Sequence, residues 1–104
     1  MAKYQMTWEL RNGAGAEANE ASAKRNLAVF AQWQPSDEVE FLQFLARADG
    51  QGGFAVIETD NLAAAAGELA KFSADFEFHL YPCLDVADGA ALGAAAIEFR
   101  DSVK

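Results

Sequence analysis

Side chains with acid–base, hydrogen-bonding or nucleophilic capacity recur at every second position in Glu77, His79, Tyr81 and Cys83. Successive strand residues point to opposite sides, so these share one face, about 6.6 Å apart along it. The other parity, Phe76, Phe78, Leu80 and Pro82, is apolar. A carboxylate near His79 would raise the imidazole pKa and orient the ring, the usual preparation for general acid–base work near neutral pH. Tyr81 would then donate a hydrogen bond to a substrate oxygen. An upstream strand supplies Gln5, Thr7 and Glu9 in alternation with Tyr4, Met6, Trp8 and Leu10. His79, Tyr81 and Glu9 are therefore the candidate catalytic residues, with Thr7, Glu77 and Glu58 as candidate ligand contacts. The plainer alternative makes His79 and Tyr81 amphipathic interface residues, their polar tips satisfied by a partner subunit or water.

Other chemistries are poorly served. Zinc takes three or four His, Cys or carboxylate ligands; Glu77, His79 and Cys83 qualify by type, but side chains along one flat strand diverge. No metal site is assigned, and no cofactor is expected. Cys83 lies about 13 Å from His79 along the strand, too far for a thiolate–imidazole pair, and is read as a small buried thiol. Asn12-Gly13-Ala14-Gly15 has a Gly-x-Gly between a strand and a helix. It lacks the third glycine of the dinucleotide fingerprint and any Gly-Lys-Ser/Thr, and Glu17 and Glu20 follow it, so it is read as a turn. Trp8 is assigned to core packing and Trp33 to the end of a helix, closing the core beside Pro35.

The elements that must position these groups follow from periodicity. Residues 3–11 alternate as a strand. Ala23, Leu27 and Phe30 mark an amphipathic helix over 16–33, ended before Pro35. Residues 38–47 carry large apolar groups on both parities, Val39, Phe41 and Leu45 against Leu42 and Phe44, which predicts a strand covered on both faces. Asp49-Gly50-Gln51-Gly52-Gly53 is a hairpin connection whose mobility could also gate a cavity mouth, and residues 54–59 form the antiparallel neighbour. Asp60 or Asn61 caps a helix with Leu62, Ala65, Leu69 and Phe72 as its stripe. Residues 75–84 are the strand bearing His79, and Asp88 is the expected cap of a final helix with Leu92, Ala96, Phe99 and Val103 on one side.

Strand, helix, strand, strand, helix, strand is the split β-α-β order of an α+β, ferredoxin-like fold, here with an extra C-terminal helix. Right-handed crossovers place both internal helices on one side of a four-stranded antiparallel sheet. The whole chain, 1–104, reads as one domain. Its 104 residues, 52% hydrophobic and 23% charged, exclude a disordered or disulfide-rich class. A formal charge of −8 disfavours nucleic acid, whose affinity comes largely from basic side chains. One cysteine, no signal-like leader and no membrane-length apolar run predict a soluble, cytoplasmic protein.

The sheet's second face also needs a cover. About four large apolar side chains left wet there would forgo roughly 7 kcal/mol or more, comparable to a domain's stability. The C-terminal helix and a second subunit are the two candidates, and a homodimer enclosing a barrel-like interior is the favoured one.

The run from Phe44 through Asp60, with Met6-Thr7-Trp8-Glu9 upstream and Phe76-Glu77-Phe78 through Pro82 downstream, resembles a family of small bacterial proteins of unknown function. That family is similar in pattern to the dimeric α/β-barrel superfamily, which includes antibiotic-biosynthesis monooxygenases, stress-responsive barrel proteins and muconolactone isomerase-like enzymes. The resemblance implies a ferredoxin-like protomer and a dimer; it transfers no catalytic residue. Two functional readings stay open. One is a small-molecule binder or cofactor-free enzyme acting on an apolar or aromatic compound; the other is a non-catalytic dimeric interaction module.

Overall fold

The computed structural model describes residues 2–11 and 15–103. Its elements follow the predicted order: β1 (Ala2–Leu10), α1 (Ala16–Gln32), β2 (Glu40–Ala46), β3 (Gly52–Thr59), α2 (Leu62–Ala70), β4 (Phe76–Cys83) and α3 (Val86–Ser102). The strands form one antiparallel sheet in the order β2-β3-β1-β4. This is the expected ferredoxin-like α+β arrangement with an additional C-terminal helix. The sheet is open, so one chain does not close a barrel. Of the predicted turn at Asn12-Gly13-Ala14-Gly15, only Gly15 lies within the described residues.

Local chemistry fixes the connections. The β2–β3 hairpin turns at Gly50, whose φ of +73° suits a residue without a Cβ. Its N–H donates to the Arg47 carbonyl at 3.1 Å, and the Arg47 N–H donates to Gly52 at 2.8 Å. Asn61 caps α2 by accepting from the Ala64 N–H at 3.3 Å. α3 starts earlier than expected, after Asp85, which leaves Asp88 in its first turn, where a carboxylate complements the helix dipole.

The core lies on the helix-bearing face of the sheet. Met6, Ala55 and Ile57 are buried there with Val39 and Ala65, and Tyr4, Trp8, Phe78 and Leu80 pack around them. Trp8 pairs with Gly53 across β1 and β3. A Cβ at Gly53 would run into the Trp8 ring and the Leu45 carbonyl. That glycine is therefore required by close approach, not by turn geometry.

Three expectations are corrected. β2 is not covered on both faces: Leu42, Phe44 and Leu45 are 43%, 43% and 50% exposed. The strand lies at the side of the sheet, and a bulge between Phe41 and Gln43 breaks its alternation at Leu42. The Ala23, Leu27 and Phe30 side of α1 looks toward the sheet across a cavity, without burying any α1 residue. The terminal helix, one of the two expected covers, covers neither face. All of α3 is exposed, and the molecule extends 62 × 32 × 22 Å.

One buried charge ties the helical layer together. Glu68 of α2 is 5% exposed. Its carboxylate accepts from Trp33 Nε1 at 2.5 Å, from the Ser36 N–H at 3.0 Å and from Lys71 Nζ at 3.2 Å. Burial pushes its pKa up, but the hydrogen bonds from Trp33, Lys71 and Ser36 outweigh that and hold it below the usual carboxylate range.

A depressed native pKa contributes stability that is fully present above the unfolded value, about 4.3 for glutamate, and is lost as pH falls through the lower native value. Urea titrations between neutral pH and pH 3 should therefore show an acid-side loss that Glu68→Gln reduces. At neutral pH the same variant should be less stable by about 1–3 kcal/mol, the scale of a hydrogen bond to a charged group; equal stability at both pH values would refute the role. Gly53→Val should lower the unfolding free energy by about 1–3 kcal/mol through overpacking against Trp8, seen as a lower urea midpoint, and an unchanged midpoint would contradict the close approach.

Candidate functional site

The predicted site residues lie on the sheet face opposite the helices. Strand register arranges them in rows. His79 pairs with Thr7, and Thr7 with Phe54; Tyr81 pairs with Gln5, and Gln5 with Val56. Glu77 pairs with Glu9, and Cys83 with Lys3, which in turn pairs with Glu58. The sequence expectation that β4 neighbours the polar parity of β1 is thus met. The face divides into a polar half on β1 and β4 and an apolar half on β2 and β3, where Leu45 pairs with Phe54.

Within the polar half the side chains are only partly assembled. His79 Nε2 lies 4.0 Å from Glu77 Oε1, and the His79 and Tyr81 rings are near parallel at 6.1 Å between centroids. Glu9 instead meets Arg47 Nη1 at 3.0 Å, and Arg47 also binds Asp49. The carboxylate beside His79 is therefore Glu77. Glu58 lies two rows away, 3.8 Å from Lys3 Nζ, which also reaches Asp85 at 3.3 Å. Cys83 is exposed, which corrects the buried-thiol reading; its Sγ donates to the Tyr81 carbonyl at 3.4 Å. It is the last partnered residue of β4, opposite Lys3 on β1. Among the described residues no three His, Cys, Asp or Glu side chains converge as metal ligands.

The sequence reading missed a second site, on the helix-bearing face. α1 stands off the sheet and leaves a cavity of about 590 Å³. Trp8 and Phe78 form part of its floor, Phe41 and Phe44 one flank, and Phe30, Trp33 and Phe72 the helical side. The rings meet mostly edge to face: Trp33 lies 5.6 Å from Phe41 and from Phe72, and Trp8 lies 5.5 Å from Phe44. Such contacts give an aromatic wall fixed geometry. The Ser22 hydroxyl donates to Asp75, tying the middle of α1 to the segment before β4.

The cavity's polar groups include Asn26 and Glu68. Glu68 is saturated by its partners, whereas Asn26 Nδ2 is buried with no hydrogen-bond partner among the described residues. Buried polar atoms are almost always paired, so an orphaned donor on a cavity wall calls for explanation. A signal for it was present in the sequence. Asn26 interrupts the stripe formed by Ala23, Leu27 and Phe30, at a helical position where core packing would place an apolar side chain. The strands and Phe72, just beyond α2, supply large rings, and α1 faces them with Ala23, Asn26, Leu27 and Phe30.

No curated protein matches the chain. A family model does match, over residues 2–97. With nearly its full length matched, the chain belongs to the family described as a domain of unknown function, DUF3303.

Proposed function

We propose that this domain binds a small, neutral aromatic compound in the cavity between α1 and the sheet. The orphaned Asn26 Nδ2 on a largely apolar, aromatic-rich wall carries the reading. A volume of about 590 Å³ falls within the roughly 300–1,000 Å³ of small-molecule sites, which pair apolar linings with a few placed polar groups. Trp and Phe rings supply stacking and edge contacts, and Asn26 offers a donor to a carbonyl or ether oxygen. The Glu68 carboxylate disfavours an anion at its end of the cavity.

The open sheet face motivates a second role. His79 stands beside Glu77 and opposite Thr7, with the Tyr81 ring parallel to it. In this reading His79 acts as general acid or base, Tyr81 as hydrogen-bond donor and Glu9 as a supporting carboxylate. Thr7, Glu77 and Glu58 contact the same apolar or aromatic substrate once a second subunit encloses the face. The non-catalytic alternative uses these side chains only as interface. Exposure favours a role that needs enclosure: His79 is 52% and Glu77 57% open to water.

Trp8 and Trp33 are the chain's two tryptophans, and both line the cavity. Titration with naphthalene or 2-acetylnaphthalene should quench their emission saturably. Asn26→Leu should weaken the ketone up to about tenfold, the worth of one neutral hydrogen bond, and leave naphthalene unchanged. Absence of saturable quenching by either compound would eliminate the cavity reading. For the open face, thermal-shift screening against neutral aromatic compounds should show a ligand-induced shift that His79→Ala at least halves. Identical shifts and identical dimerisation in both proteins would remove His79 from the site.

A further inference from the structure

We infer that α3 is an exchanged clasp: the C-terminal helix of one copy lies on the apolar, β2–β3 half of the open sheet face of a second copy. The observation is a helix with no covered side. Its large apolar residues fall on more than one side, Leu92 and Phe99 on one and Val86 and Ile97 on another, with alanine and glycine between. They are 60%, 68%, 89% and 54% exposed, respectively. A helix whose large apolar residues fall on more than one side gains from being covered on more than one side, and 17 residues without tertiary packing are marginal in water.

The area argument identifies the occupant. The surface of the chain is 7469 Å², against about 5,700 Å² for a compact monomer of this mass. Its radius of gyration is 18.2 Å, against about 13 Å. The excess surface, about 1,800 Å², falls within the roughly 1,000–2,500 Å² that each partner of an obligate homodimer buries. A second uncovered apolar surface is present on the same chain, where Leu42 and Leu45 are 43% and 50% exposed beside the half-buried Phe54 and Val56. Two-fold symmetry lets both surfaces be covered twice in one closed assembly. The fit is dimensional as well, because a 17-residue helix and a strand of seven or eight residues are both about 25 Å long. Membrane binding is less suited to α3, which carries Asp88, Glu98 and Asp101 against Arg100 alone and has no polar side to set against an apolar one.

Sedimentation equilibrium at micromolar concentration should give twice the 11.2 kDa of the chain. Leu92→Glu with Ile97→Glu should raise the dimer dissociation constant at least 100-fold. In a Cys83→Ser background, a mixture of one protein carrying Leu45→Cys and another carrying Ile97→Cys should give a covalent dimer with a short bismaleimide. This second measurement applies even where the charged variants fail to fold. Either a monomer at micromolar concentration or a dimer undiminished by the charged pair overturns the inference. So does a Leu45→Cys/Ile97→Cys protein that crosslinks only within one chain, or a full-length protein that floats with phosphatidylcholine vesicles as a monomer.

Discussion

A carboxylate almost cut off from water has to be paired, and much of the helical layer is arranged around that requirement at Glu68. Its partners come from a tryptophan ring just beyond α1, from the backbone of the following turn and from the last turn of its own neighbourhood in α2. Trp33 and Ser36 are distant from Glu68 in sequence, so satisfying one buried charge also sets where the end of α1 sits above the sheet. Breaking such a set leaves an uncompensated charge, a larger penalty than losing a surface contact. The orientation of Trp33 follows from it, and with Trp33 the edge-to-face contacts to Phe41, Phe44 and Phe72. The aromatic wall of the cavity is thus held by a polar anchor at its rim.

The sheet is as two-sided chemically as it is geometrically. On the helix-bearing face, Met6, Ala55 and Ile57 make a small dry core next to a much larger aromatic space. On the other face, strand register gathers His79, Tyr81, Thr7 and Gln5 beside Leu45, Phe54 and Val56. The same β1 and β4 residues thus separate two environments, one suited to neutral rings and one to polar groups awaiting enclosure. Gly53 shows how tightly the first is specified: its missing side chain is what lets the Trp8 ring come close to β3.

Much of this was legible in the sequence because period and turn chemistry are local. Alternation in residues 3–11 and 75–84, the Asn61 cap and the glycine-dense hairpin gave the strands, their order and the neighbouring of Thr7 with His79. What escaped was tertiary. Periodicity places Leu27 and Phe30 on the inward side of α1 but says nothing of how far the helix stands from the sheet, and so the cavity was read as core. Alternation likewise groups Glu9 with His79 on one face without revealing that Arg47, brought in by the hairpin, takes the Glu9 carboxylate. The buried reading of Cys83 failed for a related reason. Parity assigns a face, but whether that face is covered depends on elements outside the strand.

The bulge at Leu42 and the proline at position 82 take on a shared meaning from where they lie. β2 and β4 are the outer strands of the sheet, the places where an open sheet can recruit further strands without limit. A bulge interrupts the ladder on one, and a residue with no N–H sits within the other. A chain that is more than half hydrophobic thereby keeps its stickiest surfaces on its faces and blunts its borders. Growth by strand addition is discouraged, and what association remains is of the kind that closes on itself.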